Sequence, residues 1–302
     1  MSLSKKLKHI SASLLLIASS SAIANTSLPL SPEKITQPYP EVKVETIHSA
    51  QSLISEFKEH QYQLSNIKKN NTVPVFFVEN LPDNLNSLPV EEKISGFIRL
   101  LLPTIIDVNK HIITVRNEAI SLSKQPKTEW TKEESLWMSN LMASYDVKTN
   151  NIDELLLHLD IIPVGMVLAQ GIDESGWGTS YFAINGNSLF GEHLSSQGGK
   201  YLSTPGGHVK VAAFDNLFEG TARYMYNLNT TSAYHDLWTL RQQLRKDNKL
   251  SGYELVESLS HYSTRGQAYV DNLQALIKNH HLDSFDNVEF NYTTPIRIRF
   301  TK

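Results

Sequence analysis

Between Val167 and His193 the chain reads VLAQGIDESGWGTSYFAINGNSLFGEH, an apolar run that ends abruptly in glycines, aromatics and one carboxylate. From Pro163 to Ile172 the residues are mostly Val, Met, Leu, Ala and Ile, which predicts a largely buried helix. Gly176 and Gly178 supply its stop signal. Glu174 therefore falls in the last turn of a buried helix. There the negative end of the helix dipole and the loss of hydration both raise a carboxyl pKa. This is how a general acid is kept protonated near neutral pH. Trp177, Tyr181, Phe182 and Phe190 follow closely, and aromatic faces are surfaces on which sugar rings stack. The pattern points to a glycosidase acid in a sugar cleft.

The block Ala169-Gln170, Glu174-Ser175-Gly176-Trp177-Gly178-Thr179-Ser180 and Asn187-Ser188-Leu189-Phe190-Gly191 resembles the signature of bacterial peptidoglycan N-acetylglucosaminidases. This is the glucosaminidase superfamily, which includes flagellar and autolysin-type enzymes. Flanking segments are similar to its Bax-like branch: FIRLLLP at 97–103, YMYNLN at 224–229 and YSTRGQAYVDNL at 262–273. The resemblance spans roughly residues 74–280. It implies a mainly α (α+β) fold, with a lysozyme-like helical lobe carrying one small β-hairpin. It also implies that Glu174 is the essential acid, and that a Tyr at the position of Tyr262 lines the cleft opposite it.

Lys5, Lys6 and Lys8, the short apolar core Ile10–Ala18 and Ala22-Ile23-Ala24 have the layout of a cleaved targeting peptide covering residues 1–24. That core is far shorter than the roughly 20 residues needed to span a bilayer, and nothing later is apolar enough to do so. Export to the periplasm or cell envelope is the expectation. Cysteine is absent, so disulfides, thiol catalysis, thiolate-bound metals and a lipidated anchor are all excluded. Removing the three lysines deepens the net charge from −3 to −6. Such a surface offers no electrostatic footprint for nucleic acid or anionic membrane.

The expected organisation is a targeting peptide at 1–24, a leader and helical N-terminal region at 25–150, the glucosaminidase domain at 151–285 and a tail at 286–302. Residues 25–45 are rich in Ser, Pro, Thr and Glu and read as an exposed leader. The stretch 47–67 reads as helix, Val73–Val78 as a short β-prone run, and Val90–Val115 as a long helix interrupted at Pro103. Thr131 and Glu134 form a capping box. Two alternating runs around Pro205-Gly206-Gly207 signal a β-hairpin. Further helices follow, opened by Asn216 with Glu219 and by Ser251 with Glu254. In the tail, Arg297 and Arg299 alternate with Ile296, Ile298 and Phe300, the pattern of a terminal strand or a docking arm.

Glycoside hydrolysis usually needs a second group, about 5–5.5 Å from the acid for retention or 6.5–9.5 Å for inversion. Many relatives offer a Glu on the hairpin, but this hairpin (KYLSTPGGHVKVAAF) has no acid. Glu192 and Asp215 are the neighbouring candidates. Asp215 suits a helix cap, whereas Glu192 is a candidate base. A substrate-assisted route through the 2-acetamido group is the alternative. Asp173 points about 100° away from Glu174 around the helix and reads as solvated or capping. Trp177, Asn187, Phe190, Tyr262 and Tyr269 are candidate substrate contacts. Trp177 and Phe190 read equally well as core aromatics, Asn187 as a turn former, and Tyr269 by its helical spacing as core.

His193, His208 and His280-His281 lack the spacing of zinc hydrolases, and no metal or cofactor is implied. The reading is a peptidoglycan hydrolase that cuts the β-1,4 bond on the N-acetylglucosamine side of glycan strands and acts as a monomer. Its rivals are a lytic transglycosylase and a non-catalytic wall-binding protein. The chain has Ser188-Leu189-Phe190-Gly191 where transglycosylases carry a Gly-Leu-Met-Gln type motif.

Overall fold

A computed structural model of the protein describes residues 27–194, 198–204, 207 and 209–301. The targeting segment 1–24 lies outside these residues, as do His208 and the Pro205-Gly206 pair of the hairpin tip. The fold is mainly α with small strands, as expected.

Residues 27–43 are not the exposed leader that their composition suggests. Ser31 and Pro32 are buried. Trp137 Nε1 donates to the Pro29 carbonyl at 2.8 Å, and the Tyr39 ring packs on Phe77 and Phe218. Anchoring by scattered aromatics leaves no periodicity, which is why sequence patterning misses it. β1 (Val44–Ile47) follows. The stretch expected as one helix forms two, α1 (Ala50–Glu59), capped by Ser49, and α2 (Leu64–Asn70), ended by Asn71 in the left-handed region. The β-prone run divides into β2 (Thr72–Val73) and β3 (Phe76–Val78) around Pro74, which has no amide proton for a ladder.

The main departure is α3, which runs unbroken from Val90 to Ser123 with Pro103 inside it. A proline in a helix interior removes the hydrogen bond to the carbonyl four residues earlier. Here that carbonyl belongs to Arg99, and the buried Tyr62 hydroxyl donates to it at 2.8 Å. The Arg99 guanidinium returns a bond to the Tyr62 carbonyl at 3.0 Å and covers the Phe57 ring. A side chain from another element replaces the missing donor, so the expected interruption does not occur. From Phe97 to Val108 every residue of α3 is buried, so this segment lies inside the protein.

α4 (Lys132–Ser144) opens with the expected Thr131–Glu134 capping box. α5 (Ile152–His158) and the central α6 (Val164–Ser175) follow, then α7 (Tyr181–Gly186). The hairpin pairs β4 (Tyr201–Ser203) antiparallel with β5 (Lys210–Ala212). α8 (Leu217–Thr230) is capped by Asn216, with Glu219 reaching the Asp215 amide instead of that of Asn216. α9 (His235–Lys246), α10 (Gly252–Leu255, capped by Ser251) and α11 (Gln267–His280) complete the helices. Among the described residues, no helix is long and apolar enough to cross a membrane.

β6 (Glu289–Phe290) pairs in parallel with β2, and β7 (Ile296–Phe300) lies between β1 and β3, parallel to both. The tail is therefore the central strand of a three-stranded sheet whose edges come from the first 80 residues. Alternation puts Arg297 and Arg299 on one face. Both bind the buried Glu79 carboxylate, Arg297 through Nε and Nη2 at 2.9 and 2.7 Å and Arg299 through Nε at 2.8 Å. Asn80 exchanges two bonds with the Phe300 backbone. One continuous apolar core runs from Ile47 to Phe300.

Tyr62→Phe isolates the proline-freed carbonyl of Arg99 inside the protein. The expected loss is about 1–3 kcal/mol of stability in urea unfolding, the penalty for an unpaired buried polar group.

Candidate active site

α6 is apolar on nearly all sides, and only its last turn reaches solvent, at Asp173 and Glu174. The residues after Glu174 build a tight turn. Ser175 is fully buried, with Oγ donating to the Gly171 carbonyl and accepting from the Gly178 amide at 2.8 Å. Gly178 has φ +73°, and a Cβ there would meet the Phe97 ring at 2.8 Å, so both conformation and space demand glycine. Trp177, itself at φ +62°, does not face the cleft. Its ring packs edge-on against Phe97 and His280, wedging the turn against α3 and α11. The structure thus gives Trp177 the core reading.

Glu174 lies in a cleft of about 1040 Å³, with Phe190, Gly191, Glu192, Arg223 and Tyr262 also in its walls. A groove of about 1130 Å³ along Phe77, Ile106 and Phe290 is slightly larger, but it contains none of the residues singled out from the sequence. The polar cleft is where the expected chemistry converges. Burial raises the Glu174 pKa; a hydrogen bond from Tyr269 opposes the shift, Asp173 adds to it and Arg265 lowers it. Asp173 is neither free nor a cap, because it pairs with Arg265 and accepts from Asn272 Nδ2 at 2.7 Å.

The tyrosines are layered. Tyr262 lines the cleft and stacks on Tyr269 at 5.4 Å and 4°, and Tyr234 also stacks on it at 6.0 Å. Tyr269 is fully buried, as its spacing suggests, yet its hydroxyl reaches Glu174 Oε1 at 2.9 Å. Phe190 is nearly buried and stacks on Tyr224 at 3.9 Å and 10°. Asn187 does not line the cleft. It ends α7 at φ +51° and donates to the Phe214 carbonyl at 3.0 Å, holding the 187–191 segment against the base of the hairpin.

The hairpin has no acid, but Glu192 runs beside it, its carbonyl accepting from the Ala212 amide at 2.9 Å. Burial pushes the Glu192 carboxyl up to about 7, against the pull of Arg223. Asp215 is exposed at the cleft edge and paired with Lys200. Sequence reasoning missed Glu33. It comes from the segment read as leader, lines the cleft, and has both carboxylate oxygens buried without a partner. Burial raises its pKa, outweighing the opposing pull of its own backbone, Lys34 and Arg223. No local signal in Ser-Pro-Glu-Lys marks it. Gln170 and Tyr224 lie inside the glucosaminidase-like segments, and no local signal marks a role for either.

Comparisons with known proteins place the chain as follows. The profile of the glucosaminidase family, described as mannosyl-glycoprotein endo-β-N-acetylglucosaminidase, matches residues 149–282. Protein bax of Escherichia coli (strain K12) is 35% identical over 191 residues, covering 61% of this chain and 68% of its own length. The solved catalytic domain of the autolysin Auto from Listeria monocytogenes aligns with 57% of this chain and 96% of its own, at 16% identity and a TM-score of 0.33.

Glu192 should leave a signature in stability. Its pKa is higher folded than unfolded, so the folded state holds the proton more tightly. The contribution of Glu192 to stability is then greatest below pH 4.5, falls from there to about pH 7, and is level above. Thermal melts of Glu192→Gln should lose this decline and exceed wild type at pH 8. Parallel melting curves for the two proteins across pH 5–8 would contradict the buried, protonated carboxyl.

Proposed function

The chain belongs to the glucosaminidase superfamily, in its Bax-like branch, and from that premise we propose that it is an exported peptidoglycan hydrolase. In this reading it cleaves the β-1,4 bond on the N-acetylglucosamine side of the glycan strand. The observation that carries it is the setting of Glu174, a half-buried carboxyl with a raised pKa opening into a polar cleft beside a second, more deeply buried carboxyl.

Glu174 protonates the leaving glycosidic oxygen as the sugar develops oxocarbenium character. Glu192 is the base. A group with a pKa near 7 is part ionised at neutral pH and still basic enough to take a proton from water. It stands beside the hairpin, where many relatives offer a Glu. Tyr262 and the Phe190–Gly191 backbone shape the walls around the sugar. The chain carries a net negative charge, so recognition relies on shape and hydrogen bonds rather than on charge attraction. Acid–base hydrolysis of this kind needs no cofactor.

Two measurements test the scheme. Mass spectrometry of fragments released from purified peptidoglycan should find reducing N-acetylglucosamine ends, and Glu174→Gln should lower release about 10²–10⁴-fold. Anhydro-muramyl ends would instead identify a transglycosylase, and binding without release by the wild type would leave a wall-binding protein. Turnover of Glu192→Gln should fall steeply as well. Near-normal rates would take Glu192 out of the mechanism and hand its role to the 2-acetamido group of the substrate.

A further inference from the structure

Behind Glu174 a file of hydrogen bonds runs into the core. Tyr269 Oη donates to Glu174 Oε1 at 2.9 Å, Gln170 Nε2 donates to Tyr269 Oη at 3.0 Å, and Tyr224 Oη donates to Gln170 Oε1. Gln170 lies four residues before Glu174 on α6, so both project from the same face of the helix. Gln170, Tyr224 and Tyr269 are all fully buried, and no bulk water competes for these bonds. The file is held laterally as well, with Phe190 stacked on Tyr224, and Tyr262 on Tyr269.

The orientation of the Gln170 amide, with Oε1 toward Tyr224 and Nε2 toward Tyr269, sets its direction. A phenol has one proton, while a glutamine amide has a donating and an accepting end. Tyr224 gives its proton to Gln170 Oε1, which turns Nε2 toward Tyr269. The Tyr269 oxygen, already accepting from Nε2, sends its own single proton on to Glu174 Oε1. An oxygen that receives this bond is the poorer place for the carboxyl proton, which is left to Oε2. That oxygen lies on the cleft side, because a Cβ built on Gly191 in the cleft wall would stand 3.8 Å from it.

We propose that Gln170, braced by Tyr224, is a positioning residue that aims the Tyr269 hydroxyl at Glu174. The acid thereby carries its proton on Oε2, facing the substrate, and its carboxylate is stabilised through Oε1 once the proton has left. The inference rests on Glu174 being the acid. It assigns to a buried amide a task beyond satisfying the buried Tyr224 hydroxyl.

The test is a double-mutant cycle read at Glu174. Gln170→Met, Tyr269→Phe and the double variant are compared in two ways: the pH dependence of kcat/KM on purified peptidoglycan, and ¹³C-carboxyl NMR titration, with the Glu174 signal identified by its loss in Glu174→Gln. Tyr269→Phe removes a donor to a charged group and should raise the Glu174 pKa by about one unit. Gln170→Met should move it the same way by roughly half as much, through loss of polarisation along the file. It should add nothing once residue 269 is Phe. A merely structural role for Gln170 would lower the melting temperature without this dependence on Tyr269. The proposal is overturned if Gln170→Met leaves the Glu174 pKa in place, or shifts it equally in both backgrounds. Tyr224→Phe provides a milder variant that should follow the same pattern if Gln170→Met does not fold. Should Glu174→Gln retain full turnover, the acid assignment fails, and the NMR cycle alone still decides the relay.

Discussion

A helix that is apolar on nearly every side exists in water only when other elements enclose it. α6 is such a helix, and much of the architecture encloses it. α3 approaches at Gly171, where a Cβ would touch Leu101 at 3.2 Å. α10 crosses its first turn so closely that a Cβ on Gly252 would fall 2.4 Å from the Met166 amide. Asp286 ties the crossing, accepting from the Gly165 and Gly252 amides at 2.7 Å each. With its first turn clamped and its middle enclosed, α6 delivers Glu174 to one place. The buried Ser175–Gly178 bond then turns the chain away before it can cover the carboxyl.

Enclosure creates a second demand, because buried polar groups must find partners. Arg241 answers it just before α6. It is almost fully buried and donates to the carbonyls of Leu157, His158, Asp160 and Ile161 and to Asn229 Oδ1. Arg116 takes the Leu156 and Leu159 carbonyls. Several of these are the orphan acceptors at the end of α5, where a cation also meets the negative end of the helix dipole. Burial lowers the Arg241 pKa to about 10, still well above neutral, so the guanidinium stays charged. Tyr62 performs the same service for α3 at Arg99.

The cleft works by the opposite rule, leaving carboxyls underpaired. Glu174 has Tyr269 on one oxygen, Glu192 keeps a buried oxygen without a partner, and Glu33 keeps two. In each, burial is the largest cause of a raised pKa. Buried, perturbed carboxyls gathered in one cleft are the kind of cluster that marks functional sites. Glu79, held between its two arginines in the sheet, shows the paired arrangement by contrast.

What the sequence determined was local. The apolar run and its glycines marked α6 and placed Glu174 in its last turn. The Thr131, Asn216 and Ser251 caps marked helix starts, and alternation in the tail allowed a strand. These signals are carried by residues within about one helical turn of each other, so they survive in one dimension. Only the tertiary structure decided the rest. It kept α3 whole across Pro103, because the replacement donor is Tyr62, some forty positions away in the chain. It made the tail a central strand, because β1 and β3 lie at the other end of the sequence. It brought Glu33 into the cleft from a segment without periodicity, and it turned Trp177 inward and the Tyr269 hydroxyl toward Glu174. Each outcome depends on which distant surfaces meet in the folded chain, and periodicity and spacing do not record that.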